Sequence, residues 1–195
     1  MKDIKEEIIK ICKLIYKKNL TDAAGGNVSV KEGEYIYLTS RFSGSKYQWD
    51  IKKEQISVID KNWKVIEGPE ELSRESKIHL GLYKEFPTAG AIIHAHPKNI
   101  LVFACKNKPI PPVLEYTQKF GTIELTEVAK AHSERLANAV IKKMLKFKKE
   151  FEKHAIACLI PYHGIVVMGK NLAEAYDTLE RIETNARCIL LSKLI

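Results

Sequence analysis

The run Ala89-Gly90-Ala91-Ile92-Ile93-His94-Ala95-His96-Pro97 constrains this chain more than any other stretch. Residues 89–95 form a short, nearly continuous apolar segment closed by a proline. That is the pattern of a buried strand in a sheet with helices packed on it. In a strand, residues i and i+2 point to one face. His94 and His96 therefore aim their imidazoles at one point from a rigid element. Imidazole suits Zn²⁺, and three protein ligands leave a position open for substrate. Taken alone, such a pair is as often two core or surface histidines as a metal site.

The rest of the chain supplies the company this strand needs. Ile4, Ile8, Ile11/Cys12 and Ile15 recur at helical spacing, giving an amphipathic first helix over 4–20 that Thr21-Asp22 and Gly25-Gly26 break. Residues 28–30 and 35–39 read as strands around a turn at Glu32-Gly33. Residues 41–50 form a polar loop, a helical turn follows near 52–55, and 57–60 with 63–66 form a second hairpin. Ser73 is placed to cap a helix reaching Phe86, and Pro97 suits the first turn of a helix ending near Cys105. Pro109 to Pro112 is a rigid connector, 113–116 reads as a strand, and Thr126 opens a long helix to Phe147. Two apolar strands, 156–160 and 165–168, flank Pro161-Tyr162-His163-Gly164. Asn171 with Glu174 starts the last helix in the manner of a capping box. The expected class is α/β: a single domain over residues 1–195, with a central, largely antiparallel sheet flanked by helices. No GxGxxG or GxxxxGK[ST] follows a strand, which argues against a doubly wound nucleotide fold.

Composition narrows the partners. The net charge of +8 raises nucleic acid as a ligand, but the lysines mix with glutamates along helices and no basic stripe carries interleaved aromatics. An anionic metabolite is the better partner for that field. No apolar run approaches the roughly 18–20 residues of a membrane span. The start, Met1 to Glu7, carries acids and a helical period unlike a signal peptide, so the chain reads as cytoplasmic. Cys12, Cys105, Cys158 and Cys188 are scattered, with no CxxC pair, and read as separate core residues rather than a thiolate site.

Beyond His94 and His96, four histidines remain. His163 precedes Gly164 between two strands, where a turn could bring it to the sheet edge; it reads as a third ligand or as a turn residue. His79 lies one helical turn after Glu75, either orienting that carboxylate or packing. His132 falls on the expected long helix, structural or interfacial, and His154 reads as a solvated loop residue. Glu75, early in its helix, either supports the N-terminus or acts in chemistry. Gly25-Gly26-Asn27 can form an anion-binding nest of backbone N–H groups. Ser43-Gly44 and the helix N-terminus at Ser73 add donors, so three donor-rich pieces suggest a phosphate pocket.

Taken in order, Gly26-Asn27-Val28-Ser29, Thr39 with Ser43-Gly44, Ser73-Arg74-Glu75 with His79, His94-Ala95-His96-Pro97, Tyr116 and His163-Gly164 resemble the class II aldolase/adducin family, in particular its fuculose-phosphate aldolase type. The likeness runs from about residue 5 to 192. It implies a three-layer fold, one zinc ion per subunit on His94, His96 and His163, and Glu75 as acid/base. It also implies a substrate seat of Gly26, Asn27, Ser43, Gly44 and Ser73. Tyr116 matches a tyrosine that serves a neighbouring subunit's site in a fourfold homotetramer. The implied reaction is reversible cleavage of a short ketose 1-phosphate to dihydroxyacetone phosphate and an aldehyde, through an enediolate that zinc stabilises as a Lewis acid. Epimerase, dehydratase or decarboxylase chemistry on the same site, and a non-catalytic adducin-like interaction module, are the alternatives. Glutamate at 75 favours the aldolase, because the epimerase type usually carries aspartate there. Three features depart from the pattern. Arg74 replaces a small hydroxyl residue, as a clamp for phosphate or carboxylate or as a solvent-facing group. The 39–44 loop is longer than usual. The sequence stops at Ile195, without the segment that covers the aldehyde side in some members.

Overall fold

The computed structural model describes residues 3–195; Met1 and Lys2, part of the segment read as unlike a signal peptide, lie outside them. Seven strands form one sheet: β1 (Asn27–Glu32), β2 (Tyr35–Thr39), β3 (Ile56–Ile59), β4 (Val65–Glu67), β5 (Ala91–Ala95), β6 (Ile156–Ile160) and β7 (Gly164–Gly169). Their order is β4-β3-β2-β1-β5-β7-β6, and every neighbouring pair is antiparallel. The strand that carries the two histidines, β5, is thus third from one edge and paired on both sides.

The period of two along each strand divides the core. Ala91, Ile93 and Ala95 of β5, Ile165 and Val167 of β7, and Val28 and Val30 of β1 face one way. They pack against α1 (Ile4–Lys17), α3 (Lys98–Cys105) and α6 (Leu172–Leu191). Ile92, Val166 and Met168 face the other way, against α2 (Ser76–Glu85) and α4 (Glu134–Leu145). The result is the expected three-layer, antiparallel α/β architecture. Fully burying each branched side chain contributes roughly 1.5–3 kcal/mol, and β5 has all five residues buried, so its position is over-determined.

Several expectations need correction; Cys105, for one, is exposed and is not a core residue. Residues 113–116 are not a strand. Val113 and Leu114 donate their N–H groups to the Asn185 side chain of α6 at 2.9 and 3.1 Å, and a 3₁₀ helix follows over Glu115–Phe120. The long helix does not open at Thr126. That residue's N–H donates to Leu159 O at 2.9 Å, so the chain runs alongside β6 before Ser133 caps α4 through Leu136 N at 3.1 Å. Ser73 does not cap α2; Glu75 holds that position, and its side chain makes no capping hydrogen bond. Its carboxylate is turned elsewhere.

Candidate metal centre

His94 lies on the α2/α4 face of β5, and His96 follows two residues on, just beyond the strand end. Their Nε2 atoms are 3.3 Å apart. His163 arrives from the β6–β7 turn, where Tyr162 takes a left-handed conformation (φ 61°) and His163 N–H donates to Ile160 O at 3.1 Å. The ligand nitrogens of His94, His96 and His163 all lie within 4.8 Å of one another. Glycines make this approach possible. A Cβ on Gly25 would stand 2.8 Å from His96 Cε1, and one on Gly164 would stand 2.8 Å from His96 Cδ2 and overlap the Ala95 carbonyl. The His96 ring is therefore held between two positions that must lack side chains.

The outer nitrogens are fixed as well. His94 Nδ1–H donates to Ile165 O at 3.0 Å, and His96 Nδ1–H donates to Asp22 Oδ1 at 3.1 Å. Backbone carbonyl and carboxylate partners of this kind set the tautomer that leaves Nε2 free to bind a cation. Asp22 also accepts from Ala24 N at 2.9 Å and Gly25 N at 3.3 Å, building the turn that seats His96.

Glu75 closes the fourth side. It is 4% exposed, with Oε2 2.9 Å from His94 Nε2. Its Oε1 lies 3.4 Å from His163 Nε2 and 3.5 Å from His132 Nδ1, yet makes no hydrogen bond. Burial opposes its charge, but His94, His163 and His132 outweigh burial and hold the carboxyl well below the usual carboxylate range. Burial also opposes charge on His94, and Glu75 reverses this, raising that imidazole above its ordinary value. Burial and the His94 charge lower His163 to about 4, and the same two causes lower His96. A buried carboxylate oxygen without a hydrogen bond, facing three convergent imidazoles, two of them with oriented outer nitrogens, fits a divalent cation. Three neutral nitrogens would hold it, with space left on the cleft side.

That cleft has a volume of about 370 Å³ and is lined by residues of the 24–27 turn, the 40–45 loop, Ser73, Arg74, Glu75, His96, His132 and His163. Register explains one juxtaposition, because Asn27 of β1 lies directly opposite His94 of β5. Gly26, at φ 106°, has no room for a Cβ, which would meet His94 O at 2.9 Å. Among the expected seat residues, Gly26, Asn27, Ser43, Gly44, Ser73 and Arg74 all line the cleft. Ser43, however, donates its hydroxyl to Ser40 O at 2.8 Å, so that proton is committed to the loop. Tyr116 stands apart, 39% exposed on the 3₁₀ helix, with the Arg181 guanidinium 5.2 Å from its ring centre.

Two residues escaped the sequence reading. His132 is not on a helix: it occupies a left-handed position (φ 66°) before α4 and faces Glu75 from the cleft wall. Asp22 does more than break a helix: Asp-x-x-Gly-Gly before a strand is an Asx-turn signal, and its carboxylate accepts from Ala24 N and Gly25 N.

An antiparallel three-layer domain with one cation-sized histidine cluster beside an anion-friendly cleft defines a narrow class of proteins. The chain belongs to the Class II Aldolase and Adducin N-terminal domain family, whose profile matches residues 6–190. It is 32% identical over 195 residues to an L-fuculose phosphate aldolase of Methanocaldococcus jannaschii, covering 98% of each chain. It is 26% identical to a 3-oxo-tetronate 4-phosphate decarboxylase of Haemophilus influenzae, covering 94% of this chain and 85% of that protein. Among solved structures, an L-fuculose 1-phosphate aldolase superposes with a TM-score of 0.81 at 30% identity, over 100% of this chain and 88% of that one.

Proposed function

We propose that this protein is a zinc-dependent aldolase that reversibly cleaves a short ketose 1-phosphate to dihydroxyacetone phosphate and an aldehyde. The observation that carries the reading is the placement of the Glu75 carboxylate, 2.9 Å from His94 Nε2, at the floor of a cleft otherwise rich in hydrogen-bond donors. His94, His96 and His163 would hold the ion. A bound divalent cation supplies Lewis acidity toward the carbonyl and adjacent hydroxyl oxygens of the substrate. Asn27, Ser73 and the 43–44 backbone seat the phosphate, with Gly26 shaping the turn and Arg74 at the rim. Glu75 moves the proton at the carbon next to the carbonyl. The His94–Glu75 hydrogen bond and a cation on His94 Nε2 exclude one another. With His94 Nε2 so engaged, the Glu75 carboxylate would be available to substrate. Tyr116, outside its own subunit's cleft, acts as proton donor in a neighbouring site of a fourfold homotetramer.

The whole chain works as one domain in this reading. No described helix is long and apolar enough to cross a membrane, and we place the enzyme in the cytoplasm. The test is incubation of the zinc-loaded protein with dihydroxyacetone phosphate and a small aldehyde. The expected result is an aldol adduct whose formation EDTA abolishes and zinc restores. No adduct from any short aldehyde would refute the aldolase.

One observation favours a second reading. Arg41 and Arg74 both line the cleft and both act electrostatically on His132, Arg41 while also paired with Glu71. Together with the likeness to a decarboxylase of a phosphorylated keto acid, this suits a substrate bearing a carboxylate as well as a phosphate. Release of CO₂ from a phosphorylated 3-keto acid, with no aldol adduct, would establish that reading instead.

A further inference from the structure

Beneath the cleft runs a buried chain of polar groups, of which His79, Ser29 and Tyr83 have no part in the proposed chemistry. His79 of α2 is 0% exposed, with Nδ1 2.6 Å from Ser29 Oγ and Nε2 hydrogen-bonded to Asn27 Oδ1. Ser29 Oγ also lies 2.9 Å from Tyr83 OH, itself buried. Asn27 Nδ2–H donates to Ser73 Oγ at 3.0 Å. No hydrogen bond or ion pair joins the His79 and Glu75 side chains, and a ring bonded at both nitrogens does more than pack.

Counting donors fixes the polarity of the chain. Burial, then the charge of His94, lower the His79 imidazole to about 3, so it is neutral and carries one proton. With that proton on Nε2, each donor has an acceptor: Tyr83 O–H to Ser29, Ser29 O–H to His79 Nδ1, His79 Nε2–H to Asn27 Oδ1, and Asn27 Nδ2–H to Ser73. The opposite tautomer would reverse every link and leave the buried Tyr83 hydroxyl with a proton and no acceptor in the chain, a costly arrangement. Ser73 Oγ then accepts from Asn27 and from Glu75 N at 3.4 Å, so its own proton is free to donate. The Asn27 nitrogen carries a second N–H. Both residues line the cleft.

We infer that His79 is a positioning residue: it holds the Asn27 amide with its oxygen inward, so that this wall of the cleft presents donors only, as an acceptor-only phosphate dianion requires. The inference rests on the reading of Asn27 and Ser73 as part of a phosphate seat. Without His79 the amide can turn over and offer its oxygen to the anion.

The test combines calorimetric titration of inorganic phosphate into the purified full chain with steady-state kinetics of the zinc-loaded enzyme, dihydroxyacetone phosphate being varied. His79→Leu keeps the volume and removes both ring nitrogens. His79→Gln keeps an N–H near the Nε2 position. In His79→Leu, phosphate affinity should fall about tenfold and KM rise about tenfold, with kcat within about threefold of wild type. His79→Gln should recover most of both. If His79→Leu does not fold, Ser29→Ala carries the test: it frees the tautomer and should weaken phosphate about threefold. Unchanged phosphate affinity and KM in the His79 and Ser29 variants, with both lost in Asn27→Ala, would overturn the positioning role and leave the seat intact. Phosphate binding unaffected by Asn27→Ala would remove the seat itself, and the inference with it. A fall in kcat alone would assign His79 to Glu75 and refute the inference.

Discussion

Replacing Glu75 by Gln separates the proposed proton transfer from metal binding, because the two roles proposed for that carboxylate pull in opposite directions. The side chain keeps its shape and loses its charge. In the cation-free state, Glu75 Oε2 at 2.9 Å stabilises the protonated form of His94 and raises its pKa. Opposite unit charges at that separation attract by about 6 kcal/mol at an effective dielectric near 20, much of which offsets the desolvation of both groups. A proton on His94 Nε2 competes with any cation for the same lone pair. The Gln variant removes the partner of that proton, so zinc affinity near neutral pH should be equal to or higher than in wild type. The carbon acid, in contrast, loses its base. General acid/base catalysis contributes about 10²–10⁴-fold, so kcat for adduct formation should fall by that factor, about 3–5 kcal/mol in barrier height. Competition with a chelating zinc indicator gives the first quantity, and initial rates with saturating dihydroxyacetone phosphate give the second. Retained activity would show that the base lies elsewhere. Loss of zinc together with activity would show that Glu75 is a fourth ligand, refuting its role as a free base.

Other outcomes follow from the same geometry. Because the His94 pKa is raised, its proton must leave before a cation binds; apparent zinc affinity should therefore weaken on acidification from above the ordinary imidazole value of about 6.5, and that onset should move to lower pH in Glu75→Gln, as equilibrium dialysis across pH 5–8 would reveal. Gly164→Ala places a methyl 2.8 Å from His96 Cδ2 and into the Ala95 carbonyl. It should cost about 1–3 kcal/mol in urea unfolding and weaken zinc at least tenfold, and wild-type zinc affinity would contradict the clamp on His96. If Tyr116 serves a neighbouring subunit, mixed oligomers of Glu75→Gln and Tyr116→Phe chains should regain activity that neither parent shows. Mixtures no more active than their parents would place Tyr116 outside the reaction.

The sequence alone settled whatever depends on local period. The nearly continuous apolar run 89–95 marked a buried strand, the period of two put His94 and His96 on one face, and the 3.6-residue period marked α1 and α6. Amphipathic pattern failed where a long-range bond competed with it. Residues 126–132 look helical, but Thr126 pairs with Leu159 of β6, and His132 is thereby delivered to the cleft rather than to a helix face. The motif order marked Glu75 and His163 through family likeness, yet no local rule places them. His94 meets Ile165 across 71 residues of chain, and His96 meets Asp22 across 74. Tertiary structure likewise decided that His79 serves Asn27 and not Glu75. Glu75 lies one helical turn before His79 in sequence, but the packing of α2 on the sheet brings the imidazole to Ser29 and Asn27 of β1 instead. Local period decides which side chains share a face; which elements meet is set by burying the two sides of the sheet, and that burial brings the three histidines of the candidate metal site together.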